Sequence, residues 1–163
     1  MLAQKMEYAG YVRLVEDRYF GNVSLNRQAE VLACFTPDAE ILIRHGDNPT
    51  RILKGQPGPG ESHLSDFWRH LNGNFEAVFS DFTHFVDTGQ HRCAATFEVT
   101  LTPRSGSAYE SQGTQTLQNC NFFWLRGPLI ERMIVYYANP GMAGSGPAKA
   151  NRPTGYPPAG YGG

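Results

Sequence analysis

The segment Leu117-Gln118-Asn119-Cys120-Asn121-Phe122-Phe123-Trp124-Leu125 alternates in polarity, breaks at Arg126-Gly127-Pro128 and returns as Leu129-Ile130-Glu131-Arg132-Met133-Ile134-Val135-Tyr136-Tyr137. A Gly in a short turn between two such runs marks an antiparallel hairpin. Side chains two residues apart on a strand share a face. Asn119 and Asn121 therefore look where Leu117 and Phe123 look, toward the buried side. Buried amides need partners. They bond to neighbouring backbone or water, or they face a cavity that holds something polar, and the residues leave both readings open.

Upstream, Arg104 to Ala108 reads as a turn leading into this long strand from Tyr109. Before it, Phe75 to Asp87 and His91 to Thr102 form a second hairpin around Thr88-Gly89, with Cys93, Ala95, Phe97, Val99 and Leu101 on the apolar face. Thr96, Glu98 and Thr100 face the other way, toward solvent or a partner subunit. Leu64, Phe67, Trp68 and Leu71 give a helical stripe over 61–72. The Gly- and Pro-rich stretch Gly46 to Gly60 reads as loop. Ala39 to His45 reads as a strand carrying Ile41, Ile43 and His45 on one face.

The N-terminal third reads as two helices. Tyr8, Tyr11, Val12, Val15, Tyr19 and Phe20 make one stripe ending near Gly21. The second helix is capped by Ser24 or Asn26, buries Leu25, Ala29, Leu32 and Phe35, and stops at Pro37. Three helices and a meander of long strands give an α+β fold, a cone-shaped curved antiparallel sheet wrapped around the helices. The apolar mouth of such a cone is a natural ligand pocket. Residues 1–140 make this pocket domain. The stretch 141–163, rich in Gly, Pro and Tyr, is expected to be disordered or to serve as an arm contacting another subunit.

The 163 residues carry 14 Lys and Arg against 15 Asp and Glu, without a basic run to draw a nucleic acid. Cys34, Cys93 and Cys120 lack metal-ligand spacing and are odd in number, which favours a reducing compartment over a disulfide framework. No apolar run reaches the length of a membrane span, and the first residues lack the apolar core of a signal peptide. The expectation is a cytoplasmic protein with no metal, no cofactor, no nucleic acid and no membrane partner.

Arg18-Tyr19-Phe20, Cys34-Phe35-Thr36-Pro37-Asp38-Ala39-Glu40-Ile41, Asn121-Phe122-Phe123-Trp124-Leu125-Arg126-Gly127 and Ile134-Val135-Tyr136-Tyr137-Ala138-Asn139-Pro140 resemble the nuclear transport factor 2-like superfamily. The likeness is to its SnoaL-like and ketosteroid isomerase-like branches, over about residues 5 to 140. It implies a cystatin-like α+β barrel, a small and mostly apolar ligand, and a homodimer or higher homo-oligomer packed through the outer sheet face. On the same resemblance, Tyr19 falls at the tyrosine of the isomerase oxyanion hole and Asn121 at the protonated acid beside it. An amide N–H can donate to a developing oxyanion much as that acid does. The family's general base falls at Ile43, which cannot accept a proton.

His45, two residues on, is the nearest titratable replacement. The implied catalytic set is Tyr19, His45 and Asn121, with Ile43, Trp68, Phe97, Asn119 and Phe123 around the ligand. Plainer readings stand beside these: His45 bonded at the rim, Tyr19 a core tyrosine, Asn119 and Asn121 structural amides, Trp68 core before pocket wall. The inward acid and arginine set of the superfamily's epoxide hydrolases is missing, because Glu98 points outward. His84 reads as a core or interface histidine, and His63, His70 and His91 as surface or rim. Three classes follow: an enzyme acting by proton transfer in isomerisation, cyclisation or dehydration, a binding module without chemistry, and an assembly protein acting through its tail.

Overall fold

The computed structural model describes residues 6–44 and 49–137. One helical segment opens the chain as α1 (Tyr8–Arg13), widens into a π-helical stretch (Leu14–Phe20) and ends as α2 (Gly21–Ser24). It therefore runs past Gly21. The π turn, closed where the Gly21 N–H donates to the Glu16 carbonyl, explains how the buried side is spaced. Residues five apart stack along a π-helix, so Leu14 with Tyr19 and Val15 with Phe20 are all buried. A regular α-helix would turn one member of each pair away.

The second predicted helix shrinks to α3 (Gln28–Leu32), and Leu25 and Ala29 are exposed rather than buried, with Val31 taking the inner position. Phe35 and Pro37 belong instead to strand β1 (Phe35–Arg44). Proline is tolerated there because β1 is irregular at that point: its parallel pairing with the last strand jumps from Phe35↔Ile130 to Glu40↔Arg132. Gly55 closes over this irregularity, its N–H donating to the Ala39 carbonyl at 2.8 Å. A Cβ at Gly55 would overlap the Pro37 carbonyl. The stretch read as loop contains strand β2 (Arg51–Lys54), and β3 (Ser62–His63) follows it.

Helix α4 (Leu64–Asn74) begins three residues later than its stripe suggested, because His63 and Asp66 form a capping box at its start. Strands β4 (Phe75–Asp87), β5 (Arg92–Pro103), β6 (Gln115–Arg126) and β7 (Leu129–Tyr137) complete the sheet. A 3₁₀ turn over Glu110–Gln112 precedes β6, so the long strand starts at Gln115 and not at Tyr109. The sheet order is β3-β2-β1-β7-β6-β5-β4. It is antiparallel from β4 to β7, while β1 joins β7 in parallel.

Curvature comes from a bulge in β4 between Ser80 and Thr83, where Asp81 takes a φ of 53°. One extra residue bends a strand and shifts which side chains face inward. Ahead of it Phe75 and Ala77 are buried, and Phe79 packs on the core; beyond it Phe82 and Val86 do so. The concave face closes over α1 to α4 as one core, while Phe85, Phe122 and Tyr136 stay exposed on the convex side. Among the described residues no helix is long and apolar enough to cross a membrane.

Candidate functional site in the cone

Tyr19 stands at the centre of the core. Its ring meets those of Phe20, Phe35, Phe123 and Trp68 at centroid distances of 4.7, 5.7, 5.9 and 6.2 Å. The Trp68 indole Nε1–H donates to the Tyr19 hydroxyl at 3.1 Å. That bond occupies a lone pair of the hydroxyl and turns its proton elsewhere. Trp68 and Phe123, both fully buried, stand behind Tyr19 and hold it, and neither lines the inner cavity.

Tyr19, Phe97, Asn119 and Asn121 do meet around one inner cavity of about 50 Å³, completed by Phe20, Val23, Phe67, Leu71, Phe79, Val99, Leu101 and Val135. Phe20 reaches across it to Phe79 and Phe97, each at 4.5 Å between ring centroids. The cone is largely filled by these rings. What is left suits water or the polar end of a molecule, and falls short of the several hundred cubic ångströms of a whole ligand site.

The lining is apolar except for Tyr19 and the two amides. Asn121 is 2% exposed. Its Nδ2 donates only to the weakly accepting Met133 sulfur at 3.5 Å, and its Oδ1 is buried without a partner. Turning the amide over exchanges the two atoms without removing the shortfall. Asn119, by contrast, has an interaction partner.

A second recess of about 440 Å³ opens at the mouth of the cone, lined by Ile43, Arg51, Ile52, Leu53, Ser62, Asp66, Phe67, His70, Leu71 and Phe75. Phe67 and Leu71 line both spaces and separate them. Ile43 thus belongs to the mouth and not to the inner cavity. His45 lies outside the described residues, as does the stretch 141–163.

The mouth carries titratable groups, Asp66 and His70, the latter expected at the surface or rim. The Asp66 carboxylate accepts from Arg69 at 2.7 Å and from the His63 N–H at 3.0 Å. His70 is exposed; its Nε2 lies 3.4 Å from the Tyr109 hydroxyl and its Nδ1 3.5 Å from the Asn74 amide nitrogen. Partial desolvation of the ring, and then the charge of Arg51, hold the His70 pKa below its ordinary value. That direction favours the neutral imidazole. Its signal was its place on α4 one turn from Phe67, a spacing that put it at the same mouth.

Other candidates are structural. His84 is buried, its Nε2 meeting Glu16 at 2.6 Å across to the π-helical stretch, with Phe82 stacked beside it. Burial pushes the Cys93 thiol up to about 12, so it stays protonated and packs as an apolar group. Among the described residues no three His, Cys, Asp or Glu side chains converge to hold a metal ion.

No protein-family model and no curated protein sequence matches the chain. Solved structures do. A candidate polyketide cyclase from Silicibacter sp. is 23% identical, with a TM-score of 0.60 over 81% of this chain and 91% of its own. A protein of unknown function with a cystatin-like fold from Methylobium petroleophilum is 15% identical, with a TM-score of 0.61 over 86% and 83%. A nuclear transport factor 2-like protein of unknown function from Burkholderia pseudomallei is 14% identical, with a TM-score of 0.53 over 81% and 92%. The fold is that of the nuclear transport factor 2-like, SnoaL-like proteins, a cystatin-like α+β cone. Chemistry varies freely on one fold, so function has to be argued from the cavity and its mouth.

Proposed function

We propose that this chain binds a small, mostly apolar molecule, with its polar end on Asn121 and Tyr19 and its body in the recess beyond Phe67 and Leu71. The observation that carries this reading is the buried Asn121 amide, with one polar atom unpartnered on the wall of an otherwise apolar cavity. A buried polar atom without a partner costs about 1–3 kcal/mol, and a ligand that bonds to it recovers that loss. The likeness to a candidate polyketide cyclase agrees with a ligand of this kind. Isomerisation, cyclisation or dehydration by proton transfer needs a base beside the bound group. The inner lining supplies donors and no carboxylate or imidazole, which favours binding over catalysis. A native mass spectrum of the protein purified from its source tests this: a mass excess lost on denaturation is expected, and a protein that is bare and takes up no member of a panel of small apolar carbonyl compounds refutes it.

The outer face favours a second property, self-association. Phe122 and Tyr136, about 5.8 Å apart between rings, stand with Trp124 and Phe85 on the convex surface of neighbouring strands. An apolar recess of about 410 Å³ lies between Phe85, Phe122 and Trp124. A contiguous aromatic patch of this kind fits a two-fold contact between copies of one chain. Sedimentation should find a dimer that Phe122→Lys converts to monomer. A wild-type monomer at high concentration removes this reading and leaves the pocket reading untouched.

A further inference from the structure

The mouth of the cone carries a cation, Arg51, alongside Asp66 and His70. Arg51 pairs directly across from Ile43 in the β1–β2 ladder. Residues directly opposite one another in a ladder share a face, so the Arg51 side chain leaves the sheet on the concave side, beside the buried Ile43. Among the described residues Arg51 forms no ion pair. Its charge is felt across the recess, where it helps to hold the His70 pKa down. The acid of the recess, Asp66, is already neutralised by Arg69 at 2.7 Å. Among the described residues the rim therefore offers a cation without an ion-pair partner, beside the His70 imidazole and above walls of Ile43, Leu53, Phe67 and Leu71.

We infer that the ligand also carries a carboxylate at the end away from Asn121, held at the mouth by Arg51 beside His70. This deepens the binding proposed above and rests on it. A guanidinium takes a carboxylate through two parallel N–H···O bonds and stays charged at any working pH. A rim of this kind discriminates an acid from an alcohol or hydrocarbon of the same shape.

Decanoate and decan-1-ol make the test, because they share a chain and differ in charge. Each is titrated into the full chain while the Ile43 methyl and His70 ring resonances are followed by NMR. Decanoate is expected to move both sets and to bind at least tenfold more tightly than the alcohol. Arg51→Gln should erase that difference by weakening decanoate about tenfold while leaving decan-1-ol unchanged, and Arg51→Lys should restore part of it. Arg51 is exposed, so these variants should keep the fold, which the unshifted remainder of the spectrum verifies. If both compounds move the same resonances with equal affinity and Arg51→Gln changes neither, the carboxylate inference is overturned while the pocket stands. If neither compound moves them while a member of the carbonyl panel does, the carboxylate inference alone falls; if none of these compounds moves them, the pocket reading falls as well.

Discussion

Replacing Trp68 with alanine should cost about 3–5 kcal/mol of folding free energy, the range for a fully buried large aromatic. The side chain has no exposed surface, and its ring packs on those of Tyr19, Phe35 and Phe67 at 6.2, 5.3 and 6.2 Å. Its indole N–H is also the donor that orients the Tyr19 hydroxyl. Set against the total stability of about 5–15 kcal/mol for a domain, the change should lower the urea midpoint steeply. Trp68→Phe should retain much of the packing and lose the hydrogen bond, so it should fall between wild type and alanine. A Trp68→Ala variant within 1 kcal/mol of wild type would mean that helix α4 is not packed as described, and the cavity wall would go with it.

Asn121→Leu should act in opposite directions on stability and on binding. Leucine has nearly the shape of asparagine and leaves no buried polar atom unpartnered. The ligand-free variant should therefore be more stable than wild type by about 1–2 kcal/mol, in keeping with the cost of an unsatisfied group. The same change removes the polar partner at the head of the cavity, so affinity for a ligand that bonds there should drop at least tenfold. Residues kept for a site at the expense of the fold have this signature. A structural amide behaves otherwise: Asn121→Leu would then destabilise, because a satisfied hydrogen bond would be lost. Paired urea unfolding and ligand titration of the two proteins separate these outcomes.

Much of the scaffold was legible because period-two alternation is a strong signal. The inward row on β5 from Cys93 to Leu101 and the inward pair Asn119 and Asn121 on β6 stand where alternation put them. Alternation could not anticipate the bulge at Asp81, which moves the inward set from Phe79 to Phe82. A local pattern carries no record of where a strand gains an extra residue. The π-helical stretch was hidden for a related reason, since a stripe is read with the α-helical period and Leu14 with Tyr19 obeys a wider one.

The sequence pointed to the depth of the cavity more fully than to its mouth. Tyr19, Phe97, Asn119 and Asn121 line one inner cavity. Arg51 was passed over because β2 is a four-residue strand set among Gly and Pro, whereas His70, read as surface or rim, does stand at the recess. Cavity size was beyond any one-dimensional reading. It depends on how far Phe20, Phe79 and Phe97 fill the cone, and those rings come from a helix and two strands.

The most direct test of the central claim is the electron density in the inner cavity of the protein crystallised as isolated from its source. Density bonded to the Asn121 amide and continuing between Phe67 and Leu71 into the recess is the expected result. A cavity holding only water that bridges Asn121 to neighbouring backbone would contradict it, and would make Asn121 a structural amide on a fold without a small-molecule site.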